Sequence, residues 1–326
     1  MKKKLSQALR VFVSIFFIIL LLYIMRDKYP QILKTFASTK VPVFLLGLVI
    51  FIAAASVGSV RLKLLIKAQN IQVTLKEALS LTFIGYFFNN FLPTAVGGDV
   101  VKAYYLSKKS DEKAGAYASI FVDRILGLFT MIFMAFIALF FVKEGVVDLT
   151  VKYIVYAITL GSIIFIVFAM NKTLAKKFSF LFFILNPIKE KLKKVYNIIH
   201  KYQYQKPLML KAFIISFVSQ TLFFTSLGVA AMSLGCRLPI KDLFIKIPIV
   251  SMMSLLPSIN GLGVREGATV VLFGGPPIGS EKAFAMSILW FLLPFCVSLM
   301  GGLIYAFSPQ FKIKMKDVKN AKVEAI

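Results

Sequence analysis

Acids and bases sit together at three places where the neighbouring residues are almost wholly apolar: Asp99 with Lys102, Asp123-Arg124, and Arg265-Glu266. In hydrocarbon an ionised side chain costs at least a few kcal/mol unless it is paired or faces a wet cavity, so such groups mark a functional site by default. Asp123 and Arg124 lie well inside the apolar run 115–142. Adjacent residues do not share a helix face, so each is expected to serve a different neighbour. The competing readings are a packing pair that locks two helices, or an interfacial position near the end of a span. Asp99 follows Gly97-Gly98, where glycines let backbone amides approach a ligand. It could pair with Arg124, bind a cation, take up a proton or cap a helix, since Asp before a helical run is a good N-cap.

Arg265 and Glu266 stand in Gly261-Leu-Gly263-Val-Arg-Glu-Gly267. A guanidinium close to a half-helix N-terminus combines a bidentate donor with a favourable dipole, which suits phosphate. The alternative is an Arg–Glu pair that holds two elements together. Arg61 and Lys102 could also reach phosphate, although snorkelling to the interface explains both. Asn89 and Asn90 could hydrogen-bond a headgroup or satisfy freed carbonyls. The candidate substrate-binding set is therefore Asn90, Gly97, Gly98, Asp99, Lys102, Asp123, Arg124, Gly261, Gly263, Arg265 and Glu266.

The inventory excludes much else. Cys236 and Cys296 are the two cysteines and His200 is the single histidine. A disulfide framework, a thiolate zinc site and a Cys/His nucleophile pair all need more than this. No catalytic residue, metal or cofactor is expected.

These residues must be held by membrane-spanning helices. The chain is 59% hydrophobic over 326 residues, and the apolar residues form long uninterrupted runs. A hydrocarbon core needs about 20 such residues per helix. Six segments qualify, approximately 9–26, 41–60, 115–142, 152–170, 208–234 and 283–307. The first imitates a signal peptide but meets Arg26, Asp27 and Lys28 instead of a cleavage site, so it reads as a retained span.

Two further apolar segments, about 77–92 and 243–257, are short and end in Leu-Pro. Leu92-Pro93-Thr94 through Gly98-Asp99-Val100 aligns without a gap on Leu256-Pro257-Ser258 through Leu262-Gly263-Val264. Each is followed by a second short apolar stretch, 100–106 or 268–278. Proline stops a helix and glycine permits the turn back. Both therefore read as re-entrant hairpins, tolerated at membrane depth only when buried in protein or lining a cavity.

The net charge of +25 would suggest nucleic acid in a soluble protein, but no soluble domain of useful size is visible to bind it. The lysines gather between spans and at the termini, where an anionic lipid surface and the positive-inside rule place them. If both hairpins return to the side they entered, an inside N-terminus puts 61–76, 102–113, 171–206 and the C-terminal tail inside together. Only the basic segment 26–40 is then misplaced. Three spans separate the hairpins, so they enter from opposite faces as an inverted repeat, and the substrate site is expected where the two hairpins face each other near the midplane. The expected architecture is an all-α polytopic protein of one domain, with repeats at about 1–142 and 152–307. A basic linker at 171–207, patterned either as an interfacial amphipathic helix interrupted at Asn186-Pro187 or as an ordinary cytoplasmic connector helix, and a tail at 308–326 complete it. The expected location is the cell membrane, with both termini cytoplasmic.

Three pieces carry a resemblance: Gly85-Tyr-Phe-Phe-Asn-Asn-Phe-Leu-Pro-Thr-Ala-Val-Gly-Gly-Asp99 with Lys102, then Ala118-Ser-Ile-Phe-Val-Asp-Arg124, then Gly261 to Gly267. Together they resemble the lysylphosphatidylglycerol synthase transmembrane region, or UPF0104, family. Lys102 stands where that family more often has Arg, which keeps the charge and loses the fork. The resemblance implies translocation of a phospholipid or lipid-linked headgroup. The soluble aminoacyltransferase domain of the family's bifunctional members is expected to be missing. Two alternatives stand beside transport: a lipid-modifying transferase, and an accessory subunit whose partner is a separate lipid-synthesis enzyme.

Overall fold

The computed structural model describes residues 29–91, 97–110, 113–142, 147–170, 197–198, 200, 202, 204–256, 258, 261–308 and 311. The expected span 9–26, most of the linker, most of the C-terminal tail, residues 92–96 at the tip of the first hairpin and residues 257, 259 and 260 at the tip of the second lie outside these residues. Ten helices are described, with no strand among them: α1 (Tyr29–Ala37), α2 (Val41–Lys67), α3 (Leu75–Phe91), α4 (Gly97–Ser107), α5 (Lys113–Phe140), α6 (Leu149–Met170), α7 (Lys206–Ser233), α8 (Ile240–Met253), α9 (Val264–Phe273) and α10 (Ser280–Phe307).

Five of them, α2, α5, α6, α7 and α10, are long and apolar enough to cross a bilayer. Their outward faces are apolar as well. Leu45, Leu46 and Val49 on α2, Ile163, Ile164 and Val167 on α6, and Ile214 and Phe217 on α7 are all exposed. Water would penalise such a surface and lipid does not. The chain is an α-helical polytopic membrane protein.

Four of the five shorter helices fall in two consecutive pairs, α3–α4 and α8–α9, with 17 and 11 residues in the first and 14 and 10 in the second. At 1.5 Å per residue the longest reaches about 25 Å, short of a core about 30 Å thick. Helix α8 ends at Met253, ahead of the Leu-Pro, and α9 begins at Val264, earlier than the apolar stretch 268–278 suggested. Gly261 and Gly263, with φ of +77° and +82°, make the turn between them, a region costly for residues with a Cβ.

Packing between two sets of four helices, α2–α5 and α7–α10, is reciprocal, with α1 and α6 outside the pattern although the expected repeats included them. Helix α2 packs along α7; α3 lies against α10 as α8 lies against α5; α4 touches α5 as α9 touches α10. The remaining contacts follow the same exchange: α2–α3 matches α7–α8, and α2–α5 matches α7–α10. Small residues allow the closest approaches, as between helices that lack a hydrophobic driving force. A Cβ on Gly47 of α2 would lie 3.2 Å from the Ala230 nitrogen of α7, and one on Gly301 of α10 would lie 2.0 Å from the Phe83 carbonyl oxygen of α3. The central core gathers Phe51, Phe83, Phe224, Leu227 and Trp290, and the Trp290 indole N–H donates to the Leu227 carbonyl at 2.8 Å.

Helix α1 occupies the segment read from sequence as a misplaced basic loop. Ile32 is buried beside Phe284 of α10 while Leu33 is exposed. Lys34 of that segment therefore sits on a short helix docked against the bundle, and Lys40 at the N-cap of α2.

Candidate functional site

The site starts at Gly85 and Gly98. A Cβ on Gly98 would fall 2.0 Å from the Gly85 carbonyl oxygen, so only glycine allows α4 to lie this close to α3. That contact, rather than ligand access, is the reason for glycine at this position. The Asn89 side chain, at the end of α3, accepts the Gly98 N–H at 2.7 Å and satisfies one of the free donors that open α4. Asn89 is the cap, and Asp99 is freed from that role.

Asp99 sits in the first turn of α4, where the helix dipole favours an anion. One carboxylate oxygen takes the Lys102 ammonium at 2.6 Å and the other takes the Arg124 guanidinium of α5. The absence of a side chain on Gly85 makes room for Lys102, whose Cδ and Cε would lie 3.3 Å from a Cβ there. Asp123, one residue before Arg124, turns to another face and meets Arg61 of α2 at 2.8 Å. The different-neighbours expectation for this pair is what the geometry has.

Arg61 corrects the sequence reading. It does not snorkel: only 9% of it is exposed, and a second nitrogen donates to the Ser216 hydroxyl of α7 at 2.7 Å. Gly127, one turn along α5 from Asp123, leaves space for that guanidinium, which would come within 3.2 Å of a Cβ. A guanidinium reaching sideways into a bundle needs a receiving carboxylate on another helix, and no local signal in the sequence pairs position 61 with position 123.

Between these groups lies a cavity of about 350 Å³. Arg61, Asp123, Lys102, Asn89 and Gln220 give it charge and amides. Thr82, Ser219 and Ser251 give it hydroxyls, while Tyr86, Phe51 and Phe223 supply aromatic faces. Helices α2 to α5 build most of the wall, with α7 and the end of α8 closing it. Arg61, Asp123 and Lys102 therefore face the cavity, while Asp99 and Arg124, which do not line it, hold Lys102 from behind.

The other predicted residues fall elsewhere. Asn90 donates to the Ser298 hydroxyl of α10 at 2.7 Å, which ties the first hairpin to the second half. Arg265 and Glu266 pair with each other, and Glu266 also accepts the Gly263 N–H at 2.6 Å, closing the start of α9. The Arg265 guanidinium lies over the Phe291 ring, 4.9 Å from its centre. Gly261, Gly263, Arg265 and Glu266 do not line the cavity. The two hairpins do not contribute symmetrically. The sequence missed Arg61 as a core ion-pair member, together with Gln220, Ser219 and Ser251, which look like ordinary polar interruptions of apolar helices. Among the described residues no group of three or more His, Cys, Asp or Glu could hold a metal.

Fold and site together define an integral membrane protein with a charged, polar cavity inside a helical bundle. Residues 7–302 match the family described as the lysylphosphatidylglycerol synthase TM region, and the chain belongs to that family. It is similar to a UPF0104 membrane protein of Pyrococcus horikoshii, 24% identical over 83% of this chain and 89% of the relative. A UPF0104 membrane protein of Methanothermobacter thermautotrophicus is 26% identical over 80% of this chain and 84% of its own length. Another, from Methanocaldococcus jannaschii, is 27% identical over 72% of this chain and 99% of its own. No solved structure matches the chain.

Proposed function

We propose that this protein moves a phospholipid or lipid-linked anionic headgroup across the cell membrane, with the cavity between α2, α3, α4, α5 and α7 as its transit site. The observation that carries this reading is a chamber of about 350 Å³ walled by Arg61, Lys102 and Asp123 inside a bundle whose outer faces are apolar. These charges are paired, but ionisable groups that line a cavity at membrane depth mark a substrate pathway by default. The headgroup phosphate meets the Lys102 ammonium, one of whose hydrogen bonds is already spent on Asp99. Phosphate and Asp99 then compete for Lys102 and Arg124, and the exchange loosens α4 from α5.

The reciprocal packing of α2–α5 on α7–α10 supports an inverted repeat, the arrangement in which alternating access is a rocking of one half against the other. In this reading both termini face the cytoplasm, where the lysines of 171–206 meet anionic lipid. The test is headgroup accessibility in proteoliposomes, with labelled lipids and an impermeant quencher. Accelerated movement that Lys102→Gln slows supports the reading. No movement of any lipid under any ion gradient removes it and favours an accessory or transferase role.

A further inference from the structure

We infer that the cavity selects a monoanionic phosphodiester whose headgroup carries uncharged hydroxyls, a glycerol or a sugar, and rejects an aminoacylated headgroup. This rests on the transit-site reading above for its setting, but its own support is the hydrogen-bonding inventory of the wall.

The charges come first. Arg61, Lys102 and Arg124 are opposed by Asp123 and Asp99, which leaves one positive charge in excess around the chamber. Both oxygens of Asp99 are already engaged, one by Lys102 and one by Arg124. Asp123 is engaged by Arg61, itself pinned by Ser216. One phosphodiester charge balances the wall. A headgroup bearing a lysyl ester would bring two ammonium groups beside cations that already outnumber the carboxylates, in a setting where screening is weak.

The neutral groups then describe the rest of the headgroup. Asn89 uses its amide oxygen to accept the Gly98 N–H, which leaves its NH2 as a donor at the cavity wall. Gln220 does the opposite: its NH2 donates to the Gly127 carbonyl at 3.0 Å, leaving its oxygen as an acceptor. Phosphate is an acceptor alone and an ammonium is a donor alone, whereas a hydroxyl is both. A donor amide and an acceptor amide on one wall, beside the Ser219 and Ser251 hydroxyls, therefore fit a polyol. The aromatic strip of Tyr86, Phe51 and Phe223, with ring centres 5.8 and 5.9 Å apart, gives the C–H faces of such a headgroup an apolar surface.

The test measures binding directly, in detergent, on the purified full chain. The panel is phosphatidylglycerol, a polyprenyl phosphohexose, lysyl-phosphatidylglycerol and phosphatidylcholine, each titrated against thermal unfolding. One or both of the first two is expected to bind, with lysyl-phosphatidylglycerol and phosphatidylcholine at least about tenfold weaker. Which of the two binds more tightly separates a glycerol headgroup from a sugar. Ser251→Asp, which adds a carboxylate to the wall, is expected to narrow or reverse the gap to the lysyl lipid. Equal or tighter binding of the lysyl lipid to the unaltered protein overturns the inference, and so does no binding by any of the four. Selective binding without movement in proteoliposomes keeps the inference and removes the transport reading.

Discussion

Arg61 of α2 and Asp123 of α5, 62 positions apart in the chain, meet nitrogen to oxygen at 2.8 Å where both side chains are nearly closed to solvent. The pair faces the chamber and fastens two of its walls at once, because Arg61 also reaches Ser216 on α7. Removing one member leaves an uncompensated charge in the bundle, which typically costs about 3–5 kcal/mol. Arg61→Ala and Asp123→Ala are each expected to lower the unfolding temperature sharply in detergent, and the double variant by much less than their sum. Strict additivity in that double-mutant cycle would show that the pair carries no coupling.

Gly98 is a second point of no tolerance. A methyl group there must displace the Gly85 backbone, since its Cβ would sit 2.0 Å from the carbonyl oxygen. Gly98→Ala is expected to destabilise by about 1–3 kcal/mol, in the range of an overpacked core. Gly267, inside α9 with nothing within 4 Å of a Cβ, is the control. Its alanine variant should be neutral or slightly stabilising, by up to about 1 kcal/mol from helix propensity. Equal losses in the two variants would put the cause in glycine content rather than in helix approach.

Lys102 separates charge from shape. Lys102→Arg keeps the cation and is expected to retain headgroup movement in proteoliposomes. Lys102→Gln keeps only hydrogen bonding, and should slow that movement by about tenfold or more while the protein still expresses and folds. Unchanged rates in Lys102→Gln would move the phosphate contact away from this residue.

The mouth of the first hairpin carries a clasp that is expected to weaken in acid. Thr74 and Glu77 cap each other at the start of α3, with the Thr74 N–H donating to the carboxylate at 2.9 Å, and Glu77 also pairs with Lys109 beyond the end of α4. Burial pushes the Glu77 carboxyl up, but the Lys109 ammonium and the Thr74 hydrogen bonds outweigh it, and its pKa falls below the ordinary 4.5. A lowered folded-state pKa means the stabilisation is fully present above about 4.5 and is lost as pH drops through the folded value. The difference in unfolding temperature between the wild type and Glu77→Gln should therefore be constant near neutral pH and shrink below pH 4.5. A difference that stays constant down to pH 3 would show that the clasp contributes nothing through its charge.

The amino-acid sequence by itself determined the solvent and the breaks. Runs such as 115–142 and 283–307 cannot be stable in water, and the Gly/Pro interruptions leave α3, α4, α8 and α9 too short to cross a bilayer. It also determined that Asp123 and Arg124 would part company, because neighbouring residues on a helix point in directions about 100° apart.

Tertiary structure alone decided the partners. Arg61 stands where snorkelling is as good an account as pairing, and only the crossing of α2 and α5 supplies its carboxylate. Asn89 and Asp99 are both competent caps by type, and the close approach of Gly98 to Gly85 gave the role to Asn89. The two similar hairpin motifs promised a symmetric site, yet the chamber formed beside the one whose charges point inward, while Arg265 and Glu266 turned on each other to close α9. Periodicity and composition act on one helix at a time. A cavity exists only where several helices fail to fill the space between them, and that depends on which side chains meet.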